Sequence, residues 1–178
     1  MSTYPLIPAS GSSVVLTADV NTYVTLAEAD AYMDGRLNAG AWTAASVDDK
    51  ARALITATRD LGNLTLKFRK TVPTQTLDFP RWVPVGPSSN DWPFSYATYN
   101  PSVVPPEVKD SECEEALALL KYGSSERANL QAQGVTSITL GKMQESYAPK
   151  SRHGLLSPDA HRMMQPWIAG AVRIQRGR

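Results

Sequence analysis

The sequence predicts a mainly α protein: a small helical bundle of three to four helices, with one β-hairpin, a long proline- and aromatic-rich loop, and an extended C-terminal arm. Three observations predict it. Apolar residues recur at helical spacing behind recognisable start signals at Thr25, Ser46 and Pro105. Eight of the thirteen prolines fall between Pro73 and Pro106, a stretch through which no long helix can run. Residues 135–147 then change to period two around a glycine turn. At 178 residues, one domain is the natural expectation. A domain of that size buries roughly 70% of the surface of its unfolded chain and needs no staple.

Residues 1–22 form an irregular leader with one short strand at Val14-Val15-Leu16. The first helix starts at Thr25, whose spacing to Glu28 is that of a capping box, and its stripe is Leu26, Ala29, Met33 and Leu37, stopped by Gly40. The second starts at Ser46, with Asp48 and Asp49 at the positive end of the helix dipole and Val47, Ala51, Leu54, Ile55, Thr58 and Leu61 as its stripe. A short loop holding Trp42 joins the two, so an antiparallel pair is expected.

Residues 63–104 break the periodicity. A long loop inside a compact domain calls for a function, and one carrying Trp82, Trp92, Phe94, Tyr96 and Tyr99 is expected to pack on a partner. The third helix runs from Pro105-Pro106-Glu107, buries Cys113, Ala116, Leu117 and Leu120, and ends at Gly123. A short polar helix at 126–131 follows. In the hairpin, Gly141-Lys142 suits a two-residue turn that sets Leu140 opposite Met143 and Ile138 opposite Glu145. A lone hairpin is marginal in water, so another strand should pair with it, including one from a neighbouring subunit. The last helix starts at Ser157-Pro158 and buries Ala160, Met163, Met164, Trp167 and Ile168. The resulting division is a leader over 1–22, a helical domain over 23–169 with an inserted loop at 82–103 and the hairpin at 135–147, and an arm over 170–178.

Composition excludes several functions. The single cysteine, Cys113, rules out a disulfide framework and any multi-cysteine metal site, and its place on an apolar stripe reads as a structural thiol. The net charge of +1 excludes a nucleic-acid polyelectrolyte. No apolar run approaches the roughly 20 residues a bilayer requires, and the first thirteen residues lack a signal-peptide pattern, so a soluble intracellular protein, or one assembled from soluble parts, is expected, with no membrane partner. The two histidines, His153 and His161, neighbour no serine elbow and read as a loop residue and an exposed helix position. Glu112, Glu114 and Glu115 point in different directions on a helix and read as part of an acidic helix start, not as metal ligands. Gly134 to Lys142 fails the phosphate-loop spacing, with Met143 where serine or threonine is needed. No enzyme, cofactor or metal is expected.

Three groups of residues remain as candidate binding surfaces. Lys67, Arg69, Lys70 and Arg81, near Phe68 and Trp82, mix cations with aromatics as single-strand binders do, and are the candidate DNA-facing set. Trp92, Phe94 and Tyr96 in the loop at 82–103 are candidate aromatic anchors for a partner. Charge is also uneven: residues 1–140 carry 11 basic and 15 acidic side chains, residues 141–178 carry 7 and 2. The basic arm, with Arg173, Ile174, Arg176 and Arg178, is docking material.

The run Asn21-Thr22-Tyr23-Val24-Thr25-Leu26-Ala27-Glu28-Ala29-Asp30-Ala31-Tyr32 resembles the opening of a tailed-bacteriophage family of head-to-tail adaptor, or head-completion, proteins. The resemblance continues through Trp42 and residues 49–59, resumes at Phe79-Pro80-Arg81 and at Val104-Pro105-Pro106-Glu107-Val108-Lys109, and returns at the Ser157-Pro158 helix. Some similar members carry a DnaT-like single-stranded-DNA-binding label, which keeps DNA binding through 67–82 as an alternative. The resemblance implies a virion protein of the neck, between capsid and tail, forming a ring of twelve copies under the portal. Its implied partners are the portal protein, neighbouring copies of itself and the next tail or head-completion protein, with non-specific contact to channel DNA. It also implies that the arm, Arg173, Ile174, Arg176 and Arg178, docks on the portal. The loop at 82–103 departs from the family's brevity.

Overall fold

The computed structural model describes residues 14–84, 98–99, 103–123, 137–140, 143–146 and 154–169. Helix α1, Leu26–Asp34, begins with a complete capping box: the Thr25 hydroxyl accepts from the Glu28 amide at 3.2 Å, and the Glu28 carboxylate accepts from the Thr25 amide at 2.7 Å. The other Glu28 oxygen takes the Lys109 ammonium at 2.7 Å, so the cap also ties α1 to a distant helix. The expected stripe ends one turn early. Ala29 and Met33 are buried, but the helix closes at Gly35 and Leu37 stands 83% exposed. Gly40 is no stop signal either. It opens helix α2, Gly40–Ala44, and Trp42 is that helix's buried residue, so the expected loop is a helical turn.

Helix α3, Val47–Gly62, starts at the Ser46 cap with Asp48 and Asp49 in its first turn. It buries Ala51, Ala53, Leu54, Ala57, Thr58 and Leu61. Three alanines on that face let the neighbouring helix approach closely. That neighbour is helix α4, Pro106–Tyr122, closed by Gly123. Helix α5, Pro158–Met164, is capped by Ser157, runs into a 3₁₀ turn at Gln165–Trp167, and also packs on α4. Ala160 and Met164 are its buried residues; Met163, Trp167 and Ile168 are half-buried.

Helix α4 stands between two apolar cores. Cys113, Ala116 and Leu117 join Val24, Ala29, Met33, Trp42 and Leu54 in the first, and Leu16 of the leader caps it. Val108 joins Tyr23, Leu61, Phe79, Leu155, Ala160 and Met164 in the second. Among the described leader residues, 14–22, there is no strand at Val14-Val15-Leu16: this part is turned at Asp19 with φ 63° and pinned by Asn21, which bonds the Thr17 amide and the Val15 carbonyl.

The body is thus mainly helical, with five α-helices among the described residues. None of these is long and apolar enough to cross a membrane. Outside the body, backbone ladders pair Val83–Pro84 with Thr98–Tyr99 and Ser137–Leu140 with Met143–Ser146, both antiparallel. The side chains of these ladders lie outside the described residues, and with them the two faces expected of the hairpin. So do the helix at 126–131, the aromatic anchors Trp92, Phe94 and Tyr96, His153, and the arm residues Arg173, Ile174, Arg176 and Arg178.

Candidate functional site

The basic and aromatic residues of 64–82 do come together, but as a folded loop docked on the protein's own C-terminal segment. The Lys67 amide bonds the Trp167 carbonyl at 2.7 Å, and the Ala169 amide bonds the Thr65 carbonyl at 2.8 Å. Phe79 is buried, with Tyr23 and Trp167 meeting its ring edge-on at 6.0 and 5.1 Å. The first half of 63–104 therefore packs on the protein's own core. Phe79 is a core residue, and the peptide bond before Pro80 is cis.

Arg81 explains how this loop holds its shape. Its guanidinium is buried and donates to the carbonyls of Lys67, Phe68 and Asp78, with the Asp78 carboxylate at 3.4 Å. Phe68 sits at φ 64°, a conformation that bulky side chains avoid, so something must hold it there. Arg81 does so by taking its carbonyl with two nitrogens. The donors of Arg81, one of the candidate DNA-facing residues, already have protein acceptors. The other cations of the set are also engaged. Lys67 bonds the Pro166 carbonyl at 3.2 Å, Lys70 lies 3.5 Å from both the Gln75 carbonyl and Asp78, and Arg69 stacks 5.3 Å from the Trp82 ring. Arg69 and Phe68 are the exposed members.

This assignment carries a mutational test. Arg81→Lys keeps the charge but cannot span three carbonyls, and it should cost about 1–3 kcal/mol in urea unfolding. An unchanged unfolding midpoint would show that the Phe68 turn holds itself.

The second notable cluster is the acidic one on α4. Glu112, Glu114 and Glu115 are all buried, and each captures a different part of the chain. Glu112 accepts from the Thr22 hydroxyl, the Tyr23 amide at 2.9 Å and the Thr58 hydroxyl at 2.9 Å, which ties the leader and α3 to α4. Glu114 takes a forked pair of bonds from Arg36, one of them at 2.8 Å, and the Tyr32 hydroxyl at 2.9 Å. Glu115 accepts the amides of Leu156 and Ser157, both at 2.8 Å, and so seats the start of α5. These acids are no acidic helix start, because they lie one and two turns inside α4. Burial pushes Glu112 up to about 7, against the pull of its Thr22 and Thr58 bonds. Burial likewise raises Glu115, opposed by the two amides it accepts.

One sequence signal could have found them. Val108, Glu112 and Glu115 stand at i, i+4 and i+7, a single helix face that begins with a buried valine. A carboxylate on an apolar face needs buried donors, and its partners here lie 41 to 90 residues away.

Beside Arg36 an open cleft of about 230 Å³ is lined by Asn38, Glu114, Lys121, Tyr122, Leu156 and Asp159. It is smaller than the usual ligand pocket, and its Arg36 already faces Glu114 and Asp159. Among the described residues no group of three or more His, Cys, Asp or Glu is arranged to hold a metal. Cys113 is a buried thiol, pushed well above its ordinary range by burial. His161 is half-buried on α5.

A sequence profile of the family described as "Putative DnaT-like ssDNA binding protein" matches residues 11–177. No curated protein and no solved structure matches the chain.

Proposed function

The chain belongs to this DnaT-like family, and on that premise we propose that it acts as a structural adaptor of a phage particle, not as an enzyme. In this reading it forms a ring with copies of itself beneath the portal, joins capsid to tail, meets the next tail or head-completion protein, and continues the DNA channel. The observation that carries the reading is the triple anchoring of α4. Three buried carboxylates lock the leader, the turn after α1 and the start of α5 onto one helix, which makes a stiff block suited to bearing load. Single-strand DNA binding through Lys67, Arg69, Lys70 and Arg81 is the second reading, favoured by the family's description and by the exposed Phe68 and Arg69. It is weakened by the internal bonds of Lys67, Lys70 and Arg81.

Salt separates the two, because binding to a nucleic-acid backbone releases counterions and falls steeply as ionic strength rises. The full chain should give little anisotropy change with a fluorescent oligothymidine at about 0.15 M salt, where Debye screening is about 8 Å. It should be retained on purified portal rings in the same buffer. Tight, salt-sensitive oligonucleotide binding that Lys67→Gln with Arg69→Gln removes, with no retention on portal, would overturn the adaptor reading.

A further inference from the structure

Glu112 is buried at the meeting of three elements, and a count of hydrogens describes its state. Its Oε1 lies within hydrogen-bond reach of two hydroxyls, 2.5 Å from Thr22 Oγ1 and 2.9 Å from Thr58 Oγ1. Each of those hydroxyls has a second acceptor. Thr22 Oγ1 lies 2.8 Å from the Val24 carbonyl, and Thr58 Oγ1 lies 3.0 Å from the Leu54 carbonyl one helical turn back. A threonine hydroxyl has one hydrogen to give. With an ionised Glu112, two hydrogens must serve four oxygen–oxygen contacts, and two contacts are left as bare lone-pair repulsions in a buried site. With a neutral Glu112, the acid's own hydrogen on Oε1 closes a third contact, while Oε2 still accepts the Tyr23 amide.

The electrostatic surroundings agree. From the leader side Tyr23 faces this carboxyl, and from its own helix Cys113; burial holds both neutral, and an ionised Glu112 would disfavour their charged forms further. Nearby acids act on other groups: Asp78 on Tyr23, Asp60 of α3 on Glu115, and Asp110 and Glu114 of α4 on Cys113, with Glu114 also paired to Arg36. Among the described residues no cation forms an ion pair with Glu112.

We propose that Glu112 is held as the neutral acid in the folded protein, and that its ionisation is a switch that opens residues 22–24 away from α3 and α4. An ionised carboxylate in this site must draw in water. Opening follows the weakest attachment. Helix α3 is a 16-residue helix packed along α4, whereas 22–24 is a non-helical stretch whose polar ties to α3 and α4 run through Glu112, with Tyr23 and Val24 seated in the two apolar cores. The sign follows from proton binding. The closed form keeps a proton that the opened form releases, so opening is favoured as pH rises from the ordinary glutamate range toward the closed-state value of about 7, and levels off above it.

Carboxyl carbon NMR of the full, labelled chain gives the direct test. Glu112 should titrate far above the exposed glutamates, and amide exchange at 22–24, corrected for its intrinsic pH dependence, should quicken by up to about tenfold per pH unit between about pH 5 and about pH 7. Glu112→Gln is uncharged like the neutral acid, keeps a carbonyl acceptor, and offers two N–H donors where the acid offers one O–H. It should fold, abolish the pH dependence at 22–24, and melt above the wild type at about pH 8. Glu115 and Asp110 are also raised by burial, so part of the wild-type pH dependence of global melting should remain in this variant. An ordinary glutamate titration for Glu112 overturns the proposal. So does a glutamine variant that is destabilised at every pH, or one whose exchange at 22–24 keeps the wild-type pH profile.

Discussion

Trp42→Ala is expected to cost about 3–5 kcal/mol in urea unfolding, more than any other single apolar truncation in α1 to α3. The ring is 1% exposed and lies in the first core with Met33 and Leu54. It also organises charge. Its Nε1 donates to the Asp30 carboxylate at 2.8 Å, and the Lys50 ammonium reaches the same oxygen at 2.9 Å while lying 5.2 Å over the ring. Removal therefore leaves a cavity and frees both Lys50 and Asp30 from their platform. Trp42→Phe separates these effects, because it refills most of the volume and loses the Nε1 bond; its cost should be nearer 1 kcal/mol. Equal losses for the two variants would mean that the hydrogen bond, and not packing, holds α2 in place.

Glu115→Ala should release the C-terminal segment before the rest of the fold yields. The carboxylate accepts two amides, from Leu156 and Ser157, each at 2.8 Å, and no other acceptor is bonded to them among the described residues. A stranded buried amide costs about 1–3 kcal/mol, a cost that falls in full on the buried Ser157 amide and in part on the part-buried Leu156 amide if the segment stayed docked. The segment avoids that cost by coming away. Limited proteolysis should then cut within 154–169, and the Phe79–Trp167 contact and the Lys67–Trp167 backbone bond should be lost with it. Helical circular dichroism from α1 to α4 should survive. Glu115→Gln keeps one acceptor and should show a weaker form of the same behaviour. Protection at 154–169 that matches wild type in the alanine variant would show that the apolar contacts of Ala160 and Met164 seat α5 unaided.

These two sites differ in how far they could be read beforehand. Trp42 is visible in the sequence as a large apolar side chain between two helices, yet the helix that carries it is only five residues long and has no side-chain cap to announce it. Glu115 gives the opposite impression to its role. A glutamate on a helix reads as solvated, and two acidic neighbours strengthen that reading. The same inversion affects Arg81, which in a basic stretch looks like a surface cation but turns inward to hold Phe68.

The sequence by itself determined the starts of α1, α3, α4 and α5, the end of α4 and the face of α3. The Thr25–Glu28 box, the Ser46 and Ser157 caps and the stop at Gly123 depend on groups three or four residues apart, so their energies are fully present in a short stretch of chain. The α3 stripe is equally local, because one helical period lays Ala51, Leu54, Thr58 and Leu61 on one side. Only the tertiary structure decided where the charged residues went. A carboxylate or guanidinium is stable inside a protein when enough donors or acceptors surround it, and those partners come from other parts of the chain. Thr22 reaches Glu112 across 90 residues and Arg36 reaches Glu114 across 78, so no window of sequence around α4 holds both halves of either interaction.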